Sequence, residues 1–509
     1  MHSCYFSATA IIKPMKRLAV SLAVSRRDRP EELLLVERSQ ELRSFAGFLA
    51  FPGGTLDADD KSVPIRGLQD GSLAPFVAAG ARELFEETGF WLGRGGTPPS
   101  PAQLREDRKR LLDEDVTLAA LLEGNGQHID ASDLTPLCKI MTPPFSPVRF
   151  DTWFLRVLVP EDAEVDIWEG ELVDGAFVDP PAAHERWRKG EIQVAPPMVM
   201  MLEQWSKGQK GLLERVRRLT ESYERGAPHR VYFSPGILLL PLQTPTRPPA
   251  THTNTCVVGE ECLYVVDPSP VDVHEQGRLW EFLDELLKED RALEGILLTH
   301  YHSDHVGALR EMQRRFDVPA YAHADCIKEL PGVRFGAPLA HGDVIDLKAA
   351  PDGSSDWKLT VYHVPGHARG HLAFQDSRYG AIVVGDLVST LSSILIDPRD
   401  GHLKTYLRSL ELLESVTEGT LYPGHGPPVA DGKKVIRKTL EHRAEREAQL
   451  VAELGEAPQS SRELVGKIYA DVPTSVHGLA ERSLLSGLIK LEEEGKVVRN
   501  EAGFALAST

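Results

Sequence analysis

Seven residues constrain this chain more than any other part of it: Thr299-His300-Tyr301-His302-Ser303-Asp304-His305. They follow directly on an apolar run ending at Leu298, which reads as a strand. A loop leaving a strand end aims alternating side chains into one cleft while the strand holds the backbone still. His300, His302, Asp304 and His305 crowd into six residues, more than a solvated loop requires. His367 (in Pro365-Gly366-His367), Asp386 (after Val383-Val384-Gly385) and His425 (in Pro423-Gly424-His425-Gly426) have the same setting. Each follows an apolar run, with a glycine beside it that permits a sharp turn and close approach of the backbone. Five imidazoles and two carboxylates, with no thiolate, make a nitrogen and oxygen donor set suited to Zn²⁺ or a related divalent metal. His252, His323, His341 and His363 each stand alone and read as structural.

The 509 residues predict about three domains at the usual domain size. Residues 14–225 mix strand-like runs (Lys16–Ser25, Glu32–Arg38, Val148–Val159) with helical patterns at Pro75–Thr88, Pro196–Trp205 and Leu212–Tyr223; the polar stretch Gly93–Glu106 reads as a surface excursion and Glu224–His229 as a linker. Residues 230–432 alternate apolar strands (Val231–Leu240, Leu263–Asp267, Gly295–Thr299, Ala381–Gly385) with helices such as Arg278–Lys288. A connecting helix fills 433–455, and 456–509 read as three helices and a β wing. The fold class is therefore multidomain α/β.

Composition excludes some functions. A formal charge of −18 argues against phosphate-backbone binding as the main activity, and no apolar run is long enough to span a membrane. Five scattered cysteines without a CxxC motif suggest a reducing, cytoplasmic setting and no disulfide framework.

The series His-x-His-x-Asp-His, then His, Asp and His, resembles the metallo-β-lactamase fold superfamily. The resemblance implies an αββα sandwich with two zinc or other divalent ions. His300, His302 and His367 would hold one, Asp304, His305 and His425 the other, and Asp386 would bridge them. Two such ions, about 3.5–4 Å apart, activate a water and stabilise a developing oxyanion; Asp304 would orient that water. His371 and Tyr406 would stand near the substrate. The run Tyr406–Leu410, the His442-Arg443-x-x-Arg446-Glu447 helix and the C-terminal unit look like the beta-lactamase-like protein 2 branch. That resemblance implies a winged-helix-like domain and a choice between thioester hydrolysis and single-stranded RNA cleavage. Residues 456–509 hold 6 basic and 8 acidic side chains, which disfavours a DNA-reading wing.

Arg82-Glu83-Leu84-Phe85-Glu86-Glu87-Thr88-Gly89 places Glu83, Glu86 and Glu87 on one helical face, where crowded carboxylates repel unless a cation separates them. With Phe51-Pro52-Gly53-Gly54 upstream, this string resembles the Nudix hydrolase box over roughly residues 14–205. The stretch from Gly54 to Arg82 is longer than that box, and the acid expected early in it is represented only by Asp57, Asp59 or Asp60. The resemblance implies an α/β/α fold, Mg²⁺ or Mn²⁺ on Glu83, Glu86 and Glu87, and Arg82 as a partner to the carboxylates. Leu34–Ser39, Arg43, Gly47 and Gly53-Gly54 further resemble the motif of coenzyme A diphosphatases, with Arg38 and Arg43 meeting phosphates as bidentate donors. Glu171 is a candidate additional base.

The leading expectation is a bifunctional hydrolase of small molecules. One site would cleave an ester or thioester such as acyl-CoA, the other a CoA-like or nucleotide pyrophosphate. The alternative is a zinc-dependent endoribonuclease with a non-catalytic Nudix module for binding or dimerisation. Oligomeric state is left open.

Overall fold

The computed structural model describes residues 15–42, 45–168, 170–224, 230–288, 291–470, 474 and 477–507. The chain divides into two compact units, Pro14–Pro235 and Gly236–Thr509.

In the first unit, Met15–Arg26 runs parallel to Val148–Val159, which pairs antiparallel with Leu134–Met141. A second sheet orders Leu49–Ala50, Leu33–Arg38 and Leu172–Val178, all antiparallel. Helix Ala74–Thr88 presents Val77, Ala78, Ala81 and Leu84 to a core that includes Leu22, Val24, Leu34, Leu155 and Val157. Pro75 sits in its first turn, and Gly89 ends it at φ +75°, a conformation that costs glycine nothing. At Gly80 a Cβ would stand 2.9 Å from Leu134 Cδ2, so the helix lies close on the sheet.

The stretch Gly93–Glu106 is not simply an excursion. Helix Pro101–Leu112 begins there, capped by Ser100, whose side chain accepts from Gln103 N, with Pro101 in its first turn. Its buried face is small, Leu111 against Phe85 and Leu121, so the apolar period was too sparse to mark it. Likewise Val231–Leu240 is two strands, Val231–Ser234 and Ile237–Gln243: Pro235 lacks an N–H and Gly236 turns at φ +71°. The expected linker 225–229 lies outside the described residues.

In the second unit, one sheet carries in order Ile237–Gln243, His252–Val258, Cys262–Val266, Ala292–Leu297 and Ala320–Tyr321. Another orders Val344–Lys348, Trp357–His363, Leu372–Asp376, Ile382–Ser389 and Leu421–His425, antiparallel except for the last pair. Asn254 ties the sheets together, its Nδ2 donating to Pro423 O (2.9 Å) and Gly426 O (2.7 Å). Helix Val273–Leu287 covers the first sheet, while Leu403–Val416 and the start of Gly432–Glu453 cover the second. This is the expected helix–sheet–sheet–helix arrangement.

Two helices, Ser461–Ile468 and His477–Glu493, precede the hairpin Val497–Asn500 and Gly503–Leu506. Among the described residues of 456–509 these are the α-helices, residues 471–473 and 475–476 lying outside the described ones, and Leu450 near the end of Gly432–Glu453 packs with Leu464, Leu488 and Phe504. Glu494 is held by Lys490 and Lys496 at 2.8 Å each, which draws its pKa down to about 2. Its folded value lies below the unfolded one, so its contribution is complete above about 4.5 and fades as the pH falls toward 2. For a partly exposed pair the effect is about 0.5 kcal/mol. Glu494→Gln is expected to lower the urea midpoint slightly at neutral pH, and the gap to wild type should narrow on acidification.

Cys138, Cys256, Cys262 and Cys326 are buried and free; Cys4 lies outside the described residues. Among the described residues, no helix is long and apolar enough to cross a membrane.

Candidate metal centre and glutamate site

Strand Ala292–Leu297 and the buried Leu298 deliver Thr299 and His300 into the interior, after which Ser303–Val306 makes a single helical turn. Asp267, at the end of Cys262–Val266, fixes this segment. Its Oδ1 accepts from Thr299 N (2.7 Å), and its Oδ2 accepts from Thr299 Oγ1 (2.6 Å) and pairs with His305 Nδ1 (2.8 Å).

The structure brings all seven residues of the histidine series together. His302 Nδ1 lies 2.9 Å from His300 Nε2 and 3.0 Å from His367 Nε2. On the other side, His425 Nε2 stands 3.6 Å from Asp304 Oδ2. Asp386 sits between the two groups. Its Oδ1 is 3.4 Å from both His305 Nε2 and His425 Nε2, and its Oδ2 is 3.6 Å from His367 Nε2. At Gly424 a Cβ would fall 2.4 Å from Asp386 Oδ1, so only glycine leaves room for that carboxylate.

Each imidazole is also gripped from behind. His300 Nδ1 meets Thr299 Oγ1 (3.0 Å), His302 Nε2 meets Asp400 Oδ2 (2.8 Å), and His305 Nδ1 meets Asp267. His367 Nδ1 meets Leu395 O (3.2 Å) and His425 Nδ1 meets His252 O (2.9 Å). Rear contacts of this kind set the tautomer and aim the front nitrogen.

Burial and the neighbouring imidazoles hold His300 well below its ordinary pKa; His367 falls to about 4, chiefly through burial. Burial alone would raise Asp386, yet His425 and His305 outweigh it and keep the carboxylate ionised. The front atoms His305 Nε2 and Asp386 Oδ1 are buried without a hydrogen-bond partner. The neutral imidazoles of His300 and His367, an ionised carboxylate and orphaned donor atoms fit divalent cations; at His305 and His425 burial alone would lower the pKa but Asp386 raises it, so a cation there would displace a proton. Donor atoms of His300, His302 and His367, and of Asp304, His305 and His425, lie within 4.8 Å of one another in each group. A third such group, Asp267 with His300 and His305, is accounted for by Asp267's hydrogen bonds.

Several expectations change. His371 and Tyr406 are fully buried: His371 stacks on His300 at 4.8 Å, and Tyr406 donates to Leu387 O at 2.7 Å. His323 is not solitary but stacks on His363 at 4.0 Å, and His341 lies against Tyr362. Asp267 and Asp400 escaped the sequence reading. Asp267 did carry a signal, since it closes an apolar strand just as Asp386 follows one; Asp400 carried none.

In the first unit, the glutamate helix faces the glycine pair. Gly53 N donates to Glu87 Oε2 at 2.7 Å. Gly53 adopts φ +140° with Val20 O where a Cβ would be, and at Gly54 a Cβ would lie 2.3 Å from Glu83 Oε1. Arg82 donates to Glu83 and Glu86 (3.0 Å each), to Thr55 O (2.8 Å) and to both oxygens of the buried Asp60. Asp60, within the lengthened stretch, thus anchors Arg82. Burial lifts Glu83 to about 7 and raises Glu86 and Glu87. Arg38 and Glu171 both act electrostatically on Glu87, while Arg43 lies outside the described residues. Arg108, another residue the sequence did not single out, donates twice to Glu86 O (2.8 and 3.0 Å) and secures that turn.

Residues 248–425 match the Metallo-beta-lactamase superfamily, and residues 460–504 match the Beta-lactamase associated winged helix domain. A beta-lactamase-like protein 2 homolog of Drosophila melanogaster is 26% identical over 258 residues, 48% of this chain and 84% of that protein. An atrochrysone carboxyl ACP thioesterase of Aspergillus novofumigatus is 25% identical over 284 residues, 53% of this chain and 83% of that one. Among solved structures, a NUDIX hydrolase from Alicyclobacillus acidocaldarius is 27% identical, covering 38% of this chain and 93% of its own at a TM-score of 0.35. The second unit therefore carries a metallo-beta-lactamase superfamily domain followed by its associated winged-helix domain.

Proposed function

We propose that this chain is a metal-dependent hydrolase whose histidine centre cleaves a thioester-type substrate. The observation that carries the reading is Asp386, ionised and buried between two groups of donor atoms. His300, His302 and His367 would hold one divalent cation, Asp304, His305 and His425 a second, with Asp386 shared. Such cations lower the pKa of water and stabilise negative charge developing on a carbonyl oxygen. Asp304, its side chain 18% exposed against 11% for Asp386, is the acid placed to accept a proton from the attacking water. The thioester class is supported by the thioesterase among the relatives.

The first unit we read as a Nudix-type site for a CoA-like or nucleotide pyrophosphate. Glu83, Glu86 and Glu87 would hold Mg²⁺ or Mn²⁺, Arg82 would set the carboxylates, and Gly53 and Gly54 would bring the backbone close. Arg38 and Arg43 would take the phosphates. Their shared chemistry, acyl-CoA at one site and CoA at the other, unites the two units. Purified protein supplied with Zn²⁺ and Mn²⁺ is expected to release free thiol from acyl-CoA and 3′,5′-ADP from CoA. Absence of thiol release refutes the first assignment, and absence of 3′,5′-ADP the second.

A further inference from the structure

Residues 390–402, between strand Ile382–Ser389 and helix Leu403–Val416, form neither helix nor strand, yet they are held on both sides. Ile394 and Ile396 are buried in the core with Tyr406 and Leu410, which fixes the segment's path. Toward the histidine centre it offers two groups. Leu395 O meets His367 Nδ1 at 3.2 Å, and Asp400 Oδ2 meets His302 Nε2 at 2.8 Å while the other Asp400 oxygen accepts from Tyr301. Its end is pressed on the loop bearing His367: His402 N donates to Gly366 O at 2.8 Å, and at Gly401 a Cβ would stand 2.6 Å from that oxygen.

Away from the centre the same segment is gripped by the C-terminal part of the chain. Ser486 Oγ donates to Ile396 O, Arg482 pairs with Asp397 at 3.3 Å, and Glu493 Oε1 meets His402 Nε2 at 2.9 Å. All three belong to helix His477–Glu493. Helix Gly432–Glu453 adds Arg443 on Ile394 O and His442 on Ser393 at 3.2 Å. Neighbouring carbonyls, Leu395 and Ile396, therefore answer to the histidine centre and to the winged helix respectively. Lys490 of the same helix is taken up by Glu447 (2.6 Å) and Glu494 (2.8 Å), so its charge is spent within the domain.

We infer that the winged-helix domain is a brace for one of the two metal positions: through residues 390–402 it holds His302 and His367 from behind. The inference rests on the metal-binding reading above. It is selective, because the rear contacts of His305 and His425 come from Asp267 and His252 O and do not pass through this segment. Ser486, Arg482 and Glu493 are positioning residues here, three side chains of one helix turned to the segment behind the centre. Loss of a rear contact usually costs a metal site about 10- to 100-fold in affinity.

The test loads the full-length protein with Zn²⁺ and follows release to a chromophoric chelator, for wild type and for Arg482→Ala/Ser486→Ala. One of two equivalents is expected to leave about 10- to 100-fold more readily, with the other held as in wild type. Asp400→Asn, which alters the segment's inner contact and none of its outer ones, should loosen the same equivalent. If the double variant does not fold, Glu493→Gln, a change at a partly exposed ion pair, and Asp400→Asn decide by the same criterion. Wild type holding two equivalents, with the variants releasing both as slowly as wild type or both equally faster, overturns the brace alone. Wild type retaining no Zn²⁺ overturns the metal-binding reading and the brace with it.

Discussion

Asp386→Ala is expected to empty the histidine centre of metal and to lower thioester hydrolysis by about a thousandfold, the equivalent of ~4 kcal/mol of lost charge stabilisation. Asp386 is the carboxylate that faces both donor groups, so its removal takes a negative charge from each. Four of the five imidazoles that remain are buried, and among the seven residues only Asp304, at one side of the site, would be left to offset a cation's charge directly. Asp386→Asn keeps the volume but loses the charge, and should fall between wild type and alanine. Metal content by elemental analysis and kcat/KM on a thioester are the measurements. A variant that keeps both metals and the wild-type rate refutes the bridging role.

The histidine centre was legible for a physical reason. Residue types able to ligate are scarce, four of the seven lie within six residues, and the others sit beside glycines, where backbone must approach closely. What could not be read was the support. Asp400 is an ordinary aspartate in an irregular segment, and it becomes part of the site only when tertiary structure brings it to His302. His323 and His363 stand forty residues apart and gave no hint of their stacking, for the same reason. Tyr406, which the resemblance sets near the substrate, has its hydroxyl taken up by Leu387 O in the interior, a contact that only the fold creates. Helix Pro101–Leu112 hid its apolar face, but its Ser-Pro start was a cap signal in plain view. The lengthening between Gly54 and Arg82 departs from the box, and Asp60, one of the three acids within it, supplies Arg82 with a buried partner.

Asp376 carries the second large prediction, one of stability. It ends strand Leu372–Asp376 and is buried, at 1% exposure. Its Oδ1 accepts from Trp357 Nε1 (2.9 Å), Arg378 N (2.8 Å) and Tyr379 N (2.8 Å), and its Oδ2 accepts from Ala381 N (2.8 Å). One side chain therefore satisfies the turn into strand Ile382–Ser389 and the indole of the fully buried Trp357. Asp376→Ala leaves four donors without partners, and each buried orphan costs about 1–3 kcal/mol. Water reaching the turn will recover part of that, so the expected loss is about 4 kcal/mol, or roughly 10 °C in unfolding temperature. Asn at this position can still accept from the three donors that meet Oδ1, but its amide opposes Ala381 N, which predicts an intermediate loss. Because the strand beyond this turn bears Asp386, hydrolysis should fall with the folded fraction while kcat per folded molecule, measured well below the transition, stays at the wild-type value. A kcat that drops in the fully folded variant would place Asp376 in the catalytic apparatus; an unchanged melting temperature would show that the four contacts contribute no net stability.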